Sequence, residues 1–270
     1  DDGIQFTKRI RFIFGTDEET LWRCMNRYNQ IEEQADLGFA PDSSFPLTYA
    51  EKGLLQVKLH GPGWDDLPLQ AGQALNVVPD KATYAGHRLE ELLPVLDQSG
   101  VQYSQTEDSV TVLGVSKHSK DAAEGVNAIV GLAESLSLIQ PHPALLFIAD
   151  AVGEDATGEA LFGPISDEPS GDLSFNLATL VIDQEQSEIG IDIRIPVLAD
   201  KDALVARLQE IAASYQLEYE EFDYLAPLYV PLDSPLVSSL MAVYQEETGD
   251  KTPAMSSGGA TFARTMENCV

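Results

Sequence analysis

Runs of apolar and polar residues divide the first fifty positions into a strand, a helix and a second strand. Residues 9–14 alternate charged and large apolar side chains and end in three consecutive apolar ones, which predicts a strand buried on both faces of a parallel sheet. Thr16 follows as a candidate helix N-cap. Apolar residues then recur at helical spacing: Leu21, Trp22, Met25 and Tyr28. With a strand end at 35–40, this order predicts one β-α-β unit.

The pattern changes near residue 54 and then repeats in outline. The first set predicts strands at 54–59 and 74–78, a helix at 89–96, a hairpin-like pair at 101–105 and 110–115, and a helix at 122–138. A polar loop at 153–171 separates it from a second set, which predicts strands at 173–182 and 189–197, a helix at 201–215 and a strand at 217–224. The similar content of the two sets favours an internal structural duplication.

A last helix, predicted at 236–247, leads to a glycine-rich turn at 256–261. The sequence therefore predicts an α/β fold in which a large α+β domain is inserted. We expect an α/β part at 1–50, the insert at 51–235, and a second α/β part at 236–270. Within the insert, the two similar halves fall at about 51–150 and 171–235.

Charge and composition narrow the function classes. The 270 residues include 16 Lys and Arg against 44 Asp and Glu, a formal charge of −28, which disfavours nucleic acid and anionic lipid as partners. No apolar run approaches the roughly 20 residues that a membrane span requires. The two cysteines, Cys24 and Cys269, form neither a disulfide framework nor a metal-binding pair. These features predict a cytoplasmic protein with no membrane association.

The ends of the chain also carry an expectation. The sequence begins with Asp1, without a methionine, runs at once into the predicted strand, and stops at Val270 soon after the glycine-rich turn. We therefore expect an interior fragment of a larger protein.

Acidic residues follow the first predicted strand. Glu18 and Glu19 lie at its carboxyl end, where open α/β sheets place their ligands, and adjacent side chains there point in different directions. One can bind a metal ion while the other acts as a general base on the water. Asp42 follows Glu19 by 23 positions, so a shared metal site is geometrically feasible. The alternatives are a helix N-terminus that complements the dipole and an ordinary Pro-Asp turn.

These acidic residues belong to motifs that resemble the PepV-type dipeptidases, members of the carnosinase, carboxypeptidase G and acetylornithine deacetylase clan of cocatalytic metallopeptidases. The resemblance spans nearly the whole chain. It rests on Gly15-Thr16-Asp17-Glu18-Glu19, Trp22-Arg23-Cys24, Leu37-Gly38-Phe39-Ala40-Pro41-Asp42, Phe45-Pro46, Lys117-His118-Ser119, Glu124-Gly125-Val126-Asn127-Ala128, Arg194-Ile195-Pro196, and Ser257-Gly258-Gly259-Ala260-Thr261-Phe262-Ala263-Arg264.

The resemblance implies part of a zinc-peptidase-like catalytic domain, built on a parallel sheet, with a lid inserted in it. Glu18 corresponds to the general base, Glu19 to a ligand of one metal ion and Asp42 to a ligand of the other. Two divalent ions are implied, with zinc as the first choice and manganese or cobalt as alternatives. The family's histidine ligands and bridging aspartate have no counterpart here, so we expect the chain alone to be inactive.

The lid is expected to contribute His118 and Asn76. By the resemblance, His118 is carried into the active site, where it hydrogen-bonds the developing oxyanion, and Asn76 contacts the substrate. Without the resemblance, His118 would be an exposed turn residue with Ser119 as the N-cap of the next helix. Asn76 would then bond its own backbone at a strand end.

Arg194 and the glycine-rich turn are the candidates for binding a carboxylate. Residues 189–197 alternate, so that isoleucines share one face and Asp192 and Arg194 share the other. On an open sheet face, Arg194 could bind the carboxylate of a dipeptide; the alternative is an ion pair with Asp192 or another acid. Gly258 and Gly259 could offer backbone N–H groups to an anion, or form an ordinary turn.

Three functions are consistent with these features. The first is a metal-dependent dipeptidase that hydrolyses short peptides by a two-metal water mechanism. The second is an N-acyl-amino-acid deacylase of the same clan, and the third a non-catalytic α+β binding or assembly module. The resemblance also implies that the second half of the insert takes the place that a partner subunit's lid occupies in dimeric relatives, so the full-length protein is expected to be a monomer.

Overall fold

The computed structural model describes residues 6–18 and 22–270 and confirms the mixed α/β class. The helices are α1 Arg23–Ile31, α2 Leu89–Ser99, α3 Ala128–Ser137, α4 Pro143–Leu146, α5 Glu159–Phe162, α6 Lys201–Ser214 and α7 Pro235–Thr248. The strands are β1 Thr48–Glu51, β2 Gly53–Pro62, β3 Leu69–Ala71, β4 Lys81–Tyr84, β5 Tyr103–Gln105, β6 Val110–Leu113, β7 Ser166–Asp167, β8 Gly171–Asp172, β9 Ser174–Ile182, β10 Gln186–Ile195, β11 Glu218–Leu225, β12 Leu228–Tyr229 and β13 Met255–Ser257. Two 3₁₀ turns, Ser119–Glu124 and Phe262–Thr265, lie beside the candidate site.

A five-stranded antiparallel sheet forms the centre, in the order β11-β2-β10-β9-β3. In chain order, the main elements of this domain are β2, α3, the β9-β10 hairpin, α6 and β11. This is a β-α-β-β-α-β arrangement with β3 added at one edge.

The two faces of this sheet differ sharply. One face carries the apolar positions of β2 and β10, among them Leu55, Val57, Ile191 and Ile193, all fully buried. They form one core with α3 and α6, which bury Ile129, Leu132, Leu136, Leu204 and Leu208. The opposite face carries the polar positions, including Asp192 and Arg194, because strand side chains alternate between faces.

Smaller sheets flank this centre. Strands β4, β6 and β5 form an antiparallel sheet, and the β5-β6 pair confirms the predicted hairpin. Strand β1 pairs antiparallel with β12 and parallel with β13, which joins the segment near residue 50 to the glycine-rich turn.

The prediction of a buried strand at residues 9–14 is wrong. This segment forms no strand, and the side chains of Phe12 and Phe14 are 79 % and 90 % exposed. No strand among the described residues pairs with it.

The start of one helix, one predicted strand and one long predicted helix also differ from expectation. Helix α1 begins at Arg23 instead of near Thr16, because the side chain of Asp17 accepts hydrogen bonds from the N–H groups of Arg23 and Cys24. Residues 74–78 form no strand and make only an isolated bridge between Val77 and His118. The helix expected at 122–138 is a 3₁₀ turn followed by α3, whose N-terminus is capped by Asn127.

Both halves proposed for the insert contribute to the central sheet. Strands β2 and β3 come from the first half and β9 to β11 from the second, and one apolar core joins them. The domain limits stay predictions. In the part of the chain that the structure covers, no helix is both long and apolar enough to cross a bilayer.

Candidate functional site

The polar face of the central sheet is covered, and this buries Arg194. Its side chain is 4 % exposed and that of Asp192 is fully buried. The guanidinium donates to both carboxylate oxygens, with Nε–Oδ1 at 2.6 Å and Nη2–Oδ2 at 3.1 Å. Gln56 on β2 donates to the same carboxylate at 3.0 Å. The expectation of an open sheet face is therefore wrong, and the ion pair that was its alternative is present.

Segments of the insert provide the cover. The hydroxyl of Ser174 donates to the carbonyl of Ser119, and the amide of Asn176 donates to the carbonyls of Leu75 and Val77. Loops 75–78 and 117–120 thus lie across the end of the polar face. They exclude water from the Asp192–Arg194 pair.

Two predicted lid residues, Asn76 and His118, lie side by side in this cover. The carbonyl of Asn76 accepts from the N–H of Ser119 at 2.9 Å, and the neighbouring residue, Val77, bridges to His118. The Asn76 side chain is exposed. Ser119 is not the N-cap: His118 is, because its Nδ1 accepts from the N–H of Lys120 at 3.2 Å. The Ser119 hydroxyl instead accepts from Arg194 at 3.0 Å.

The electrostatic environment favours a neutral His118. Desolvation, followed by the positive charge of Arg194, lowers the pKa of His118 from its usual value. Since Nδ1 accepts a hydrogen bond, the ring proton of the neutral form resides on Nε2. The residue can therefore present an N–H donor at neutral pH.

A second buried ion pair holds the segment after the glycine-rich turn. Arg264 Nε donates to Glu51 Oε2 at 3.0 Å, and these side chains are 3 % and 2 % exposed. Thr261 adds two hydrogen bonds to the same carboxylate, from its N–H and from its hydroxyl. Burial lowers the pKa of Arg264 from its usual value. The pair ties β1 to residues 261–264.

The Gly258-Gly259 turn lies between the two arginines. Arg194 donates to the carbonyl of Gly258 at 2.9 Å, and Arg264 donates to the carbonyl of Gly259 at 3.0 Å. The N–H of Gly259 is bonded to the Ser257 hydroxyl at 3.0 Å, so it does not form the free anion site that the sequence suggested.

A cavity of about 460 Å³ opens beside this turn, within the size range of small-molecule sites. It brings together three of the predicted residues, Asp42, Gly258 and Gly259. The other lining residues are Ser43, Ser44, Thr48, Lys120, Asp121, Met255, Ser256, Ser257, Ala260 and Thr261. The insert reaches this cavity through Lys120 and Asp121.

Of the two predicted glutamates, the structure describes only Glu18. The carbonyl of Glu18 accepts a hydrogen bond from Trp22, whose ring packs edge-on against Phe262 at 5.6 Å. This places the Glu18 segment next to the glycine-rich turn, although Glu18 does not line the cavity. Glu19 lies outside the described residues.

The residues that the structure describes do not by themselves build a metal centre. Within residues 6–18 and 22–270, no group of three or more His, Cys, Asp or Glu side chains could hold an ion. Asp42 is the one predicted ligand that the structure describes, and it is exposed.

Sequence reasoning missed several residues of the site. Glu51 and Arg264 are 213 positions apart, and no spacing relates them. Lys120 was also missed, although it directly follows the Lys117-His118-Ser119 motif. Asp192, in contrast, could be identified from the sequence. It lies two residues from Arg194, so both side chains are on the same face of β10.

Relatives of known sequence support the predicted resemblance. A Bacillus subtilis protein named "Putative dipeptidase YtjP" is 33 % identical over 290 residues, which cover 99 % of this chain and 62 % of that protein. Relatives from Staphylococcus haemolyticus and Staphylococcus aureus (strain MW2) are named in the same way and are 29 % and 31 % identical. The similarity to dipeptidases predicted from the motifs is therefore confirmed. The chain spans somewhat under two thirds of the length of these relatives.

Comparisons with family models and with solved structures give weaker similarities. No family model matches the chain. An aminoacylhistidine dipeptidase from Vibrio alginolyticus aligns over 88 % of this chain and 57 % of its own, with a TM-score of 0.48 and 10 % identity. An M20 family metallo-carboxypeptidase from Sulfolobus solfataricus aligns over 92 % of this chain and 57 % of its own, with a TM-score of 0.39 and 12 % identity.

Proposed function

We propose that a protein of the relatives' length that contains this chain is a metal-dependent dipeptidase, and that the 460 Å³ cavity is its part of the active site. One observation carries the proposal. Asp42, Gly258 and Gly259, three residues that the dipeptidase motifs single out, line the same cavity. His118 lies next to it, because Lys120 lines the cavity and is hydrogen-bonded to His118.

Each residue has a role in this proposal. His118 donates a hydrogen bond from its Nε2–H to the developing oxyanion, because Nδ1 is already engaged as an acceptor by the N–H of Lys120. Asn76 and Gly258 bind the substrate, whereas Gly259, whose N–H is engaged by Ser257, holds the turn. Arg194 acts through the turn, since its guanidinium is engaged by Asp192, Ser119 and Gly258.

The metal part of the proposal rests on the motif that contains Glu18 and Glu19 and on Asp42. Glu18 would be the general base and the other two would be ligands of two divalent ions, zinc before manganese or cobalt. Because the described residues do not form a metal centre, further ligands are required from beyond them.

Two further features belong to the same proposal. We expect the full-length protein to be a monomer, because both halves of the insert reside in one chain. We also expect it to act in the cytoplasm, since Cys24 and Cys269 are both free and the net charge of −28 suits a solvated surface.

A substrate panel tests the proposal on a protein of the relatives' length. The panel pairs dipeptides with N-acetyl amino acids, in the presence of Zn²⁺ or Mn²⁺ and again after chelation. We expect dipeptide turnover that chelation abolishes and added metal restores. Turnover of the N-acetyl amino acids alone would show a deacylase, and turnover of neither would favour a non-catalytic module; both results overturn the proposal.

A variant of His118 tests whether the activity depends on this cavity. His118→Ala removes the proposed oxyanion donor, and we expect kcat to fall about 100-fold. His87→Ala is the matched control, because His87 is exposed and lies away from the cavity lining. Equal activity of the two variants would remove His118 from the mechanism.

A further inference from the structure

Val77 presents an apolar side chain to water beside the proposed oxyanion donor. It is 37 % exposed, whereas Val78, the next residue, is 2 % exposed. Among the described residues, Val77 belongs to none of the apolar cores. Single exposed apolar residues are common on protein surfaces, and Val77 differs from these in its position.

Val77 and His118 lie directly opposite each other on two antiparallel segments, where they form an isolated bridge. Two backbone hydrogen bonds flank the pair, from the N–H of Ser119 to the carbonyl of Asn76 at 2.9 Å and from the N–H of Val78 to the carbonyl of Lys117 at 2.8 Å. This is the pattern of a non-hydrogen-bonded antiparallel pair, whose Cα atoms lie about 4.5 Å apart. The side chains of Val77 and His118 therefore share one face and are close neighbours.

The backbone of Val77 is held in this position from the central sheet. The side-chain amide of Asn176, on β9, donates to the carbonyls of Val77 and Leu75, both at 3.0 Å. Asn176 is 1 % exposed, so this anchor is buried. The Val77 side chain is therefore directed along the His118 face before a substrate arrives, and a contact with it costs little ordering.

The role of His118 determines which part of a substrate Val77 would meet. In the proposed function, the Nε2–H of His118 binds the oxygen of the scissile carbonyl. In a dipeptide this carbonyl belongs to the N-terminal residue. The side chain of that residue is one bond nearer to the carbonyl oxygen than the side chain of the residue that leaves, so it is the nearer partner for an apolar neighbour of His118.

We propose that Val77 is a specificity-determining residue that contacts the side chain of the substrate's N-terminal residue and favours an apolar side chain there. This inference rests on the proposed dipeptidase function. It adds a preference for one side chain of the substrate, because apolar surface on both partners leaves water on contact.

The test compares three dipeptides that differ only in one side chain. We would measure kcat/KM for leucyl-glycine, glycyl-leucine and glycyl-glycine with the metal-loaded protein of the relatives' length. Val77→Thr keeps the β-branched shape but replaces a methyl group by a hydroxyl. We expect the preference for leucyl-glycine over glycyl-glycine to fall about fourfold, the factor that one buried methylene-sized group provides. The ratio of glycyl-leucine to glycyl-glycine should stay within about twofold.

Two further variants sharpen the result. Val77→Ile retains an apolar, β-branched side chain and should retain the preference for leucyl-glycine. Val115→Thr is the matched control, because Val115 is 47 % exposed but pairs with Val126 instead of His118. It should leave both ratios unchanged.

The outcomes separate this inference from the function on which it rests. If the unmodified protein hydrolyses none of the three dipeptides, the proposed function fails and the inference fails with it. If it hydrolyses them but Val77→Thr lowers kcat/KM for all three by the same factor, or for none, the dipeptidase stands and the assignment to Val77 is wrong. A change confined to glycyl-leucine would also overturn it, since Val77 would then contact the residue that leaves.

Discussion

Arg264 and Glu51 form a buried ion pair, with Nε and Oε2 3.0 Å apart, that joins strand β1 to the segment after the glycine-rich turn. The same guanidinium also donates to the carbonyls of Lys52, Ala226 and Gly259. Buried charges are tolerated when their hydrogen bonds are satisfied, as they are here. The pair therefore fixes the wall of the proposed site.

Breaking this pair should strongly destabilise the chain. Arg264→Met leaves the Glu51 carboxylate buried without its cation, and we expect a loss of about 3–5 kcal/mol in the free energy of unfolding. Urea denaturation measures the loss. The double variant Glu51→Met/Arg264→Met should lose less than the sum of the single variants, because neither charge is then left alone.

An exposed pair provides the control for this experiment. Arg207 and Glu210 are 2.7 Å apart, with side chains 52 % and 72 % exposed. Arg207→Met should cost less than about 1 kcal/mol. A cost for Arg264→Met as small as this control would contradict the structural role of the buried pair.

Gly258 should not accept a side chain. The β-carbon of alanine would lie 2.7 Å from Lys120 Cβ, a stem atom that cannot rotate away. We expect Gly258→Ala to lower the free energy of unfolding by about 1–3 kcal/mol, as overpacking does. Differential scanning calorimetry would record the corresponding fall in Tm.

The relief of this clash is itself measurable. Lys120→Gly in the Gly258→Ala background removes the opposing atom and should recover part of the loss. Gly53→Ala is the matched control, since its new carbon would meet neighbours only at ordinary distances of 3.5 Å and more. If Gly53→Ala is as damaging as Gly258→Ala, the close approach is not the cause.

The alternating pattern predicted the long strands of the central sheet, whereas the short paired strands β1 and β4 were not predicted. The alternation in β10 correctly predicted which side chains share a face. This strand pairs with β2 on one side and with β9 on the other. Residues 9–14 carry a comparable pattern but form no strand, since hydrogen bonding to a neighbour decides strand formation as much as the side chains do. Local pattern cannot reveal whether such a neighbour is available.

The sequence predicted only part of the site, because a local pattern does not show which distant segments come into contact. Motifs identified Asp42, His118 and Gly258, which the structure places at or beside one cavity. Neither the burial of Arg194 nor the Glu51–Arg264 pair could be predicted, because both depend on segments distant in sequence that cover the sheet. The Asn127 cap of α3 was available locally, as an asparagine before an apolar run, and was overlooked.

Stability should depend on pH through His142. The side chain is 1 % exposed, and burial lowers its pKa from the usual value. The unfolded chain therefore binds a proton that the folded chain resists. The His142 contribution is fully present above about pH 6.5 and is lost as the pH falls below that value.

Urea denaturation at pH 7, 6 and 5 measures this dependence. A single proton limits the slope to about 1.4 kcal/mol per pH unit. The measurements use a His118→Gln background, because the pKa of His118 is lowered as well. Adding His142→Gln should flatten the profile, and an unchanged slope would show that His142 is not responsible.

The 270-residue chain alone should be catalytically silent. Among its described residues Asp42 is the one predicted ligand, and weak sites result when few ligands are fixed together. Dipeptide hydrolysis with added Zn²⁺ or Mn²⁺ should therefore stay at background, and calorimetry should detect no tight binding. Clear turnover, or micromolar binding of two ions per chain, would contradict this expectation.

The central claim is that the cavity at Asp42 is part of a dipeptidase active site. The most direct measurement is kcat/KM for alanyl-leucine with Asp42→Asn, in a metal-loaded protein of the relatives' length. Asp36→Asn is the matched control, because Asp36 is exposed and does not line the cavity. We predict a loss of at least about 100-fold for Asp42→Asn, because losing even a supporting partner of a metal ligand typically costs about 10–100-fold, and no change for Asp36→Asn. Equal activity of the two variants would contradict the claim.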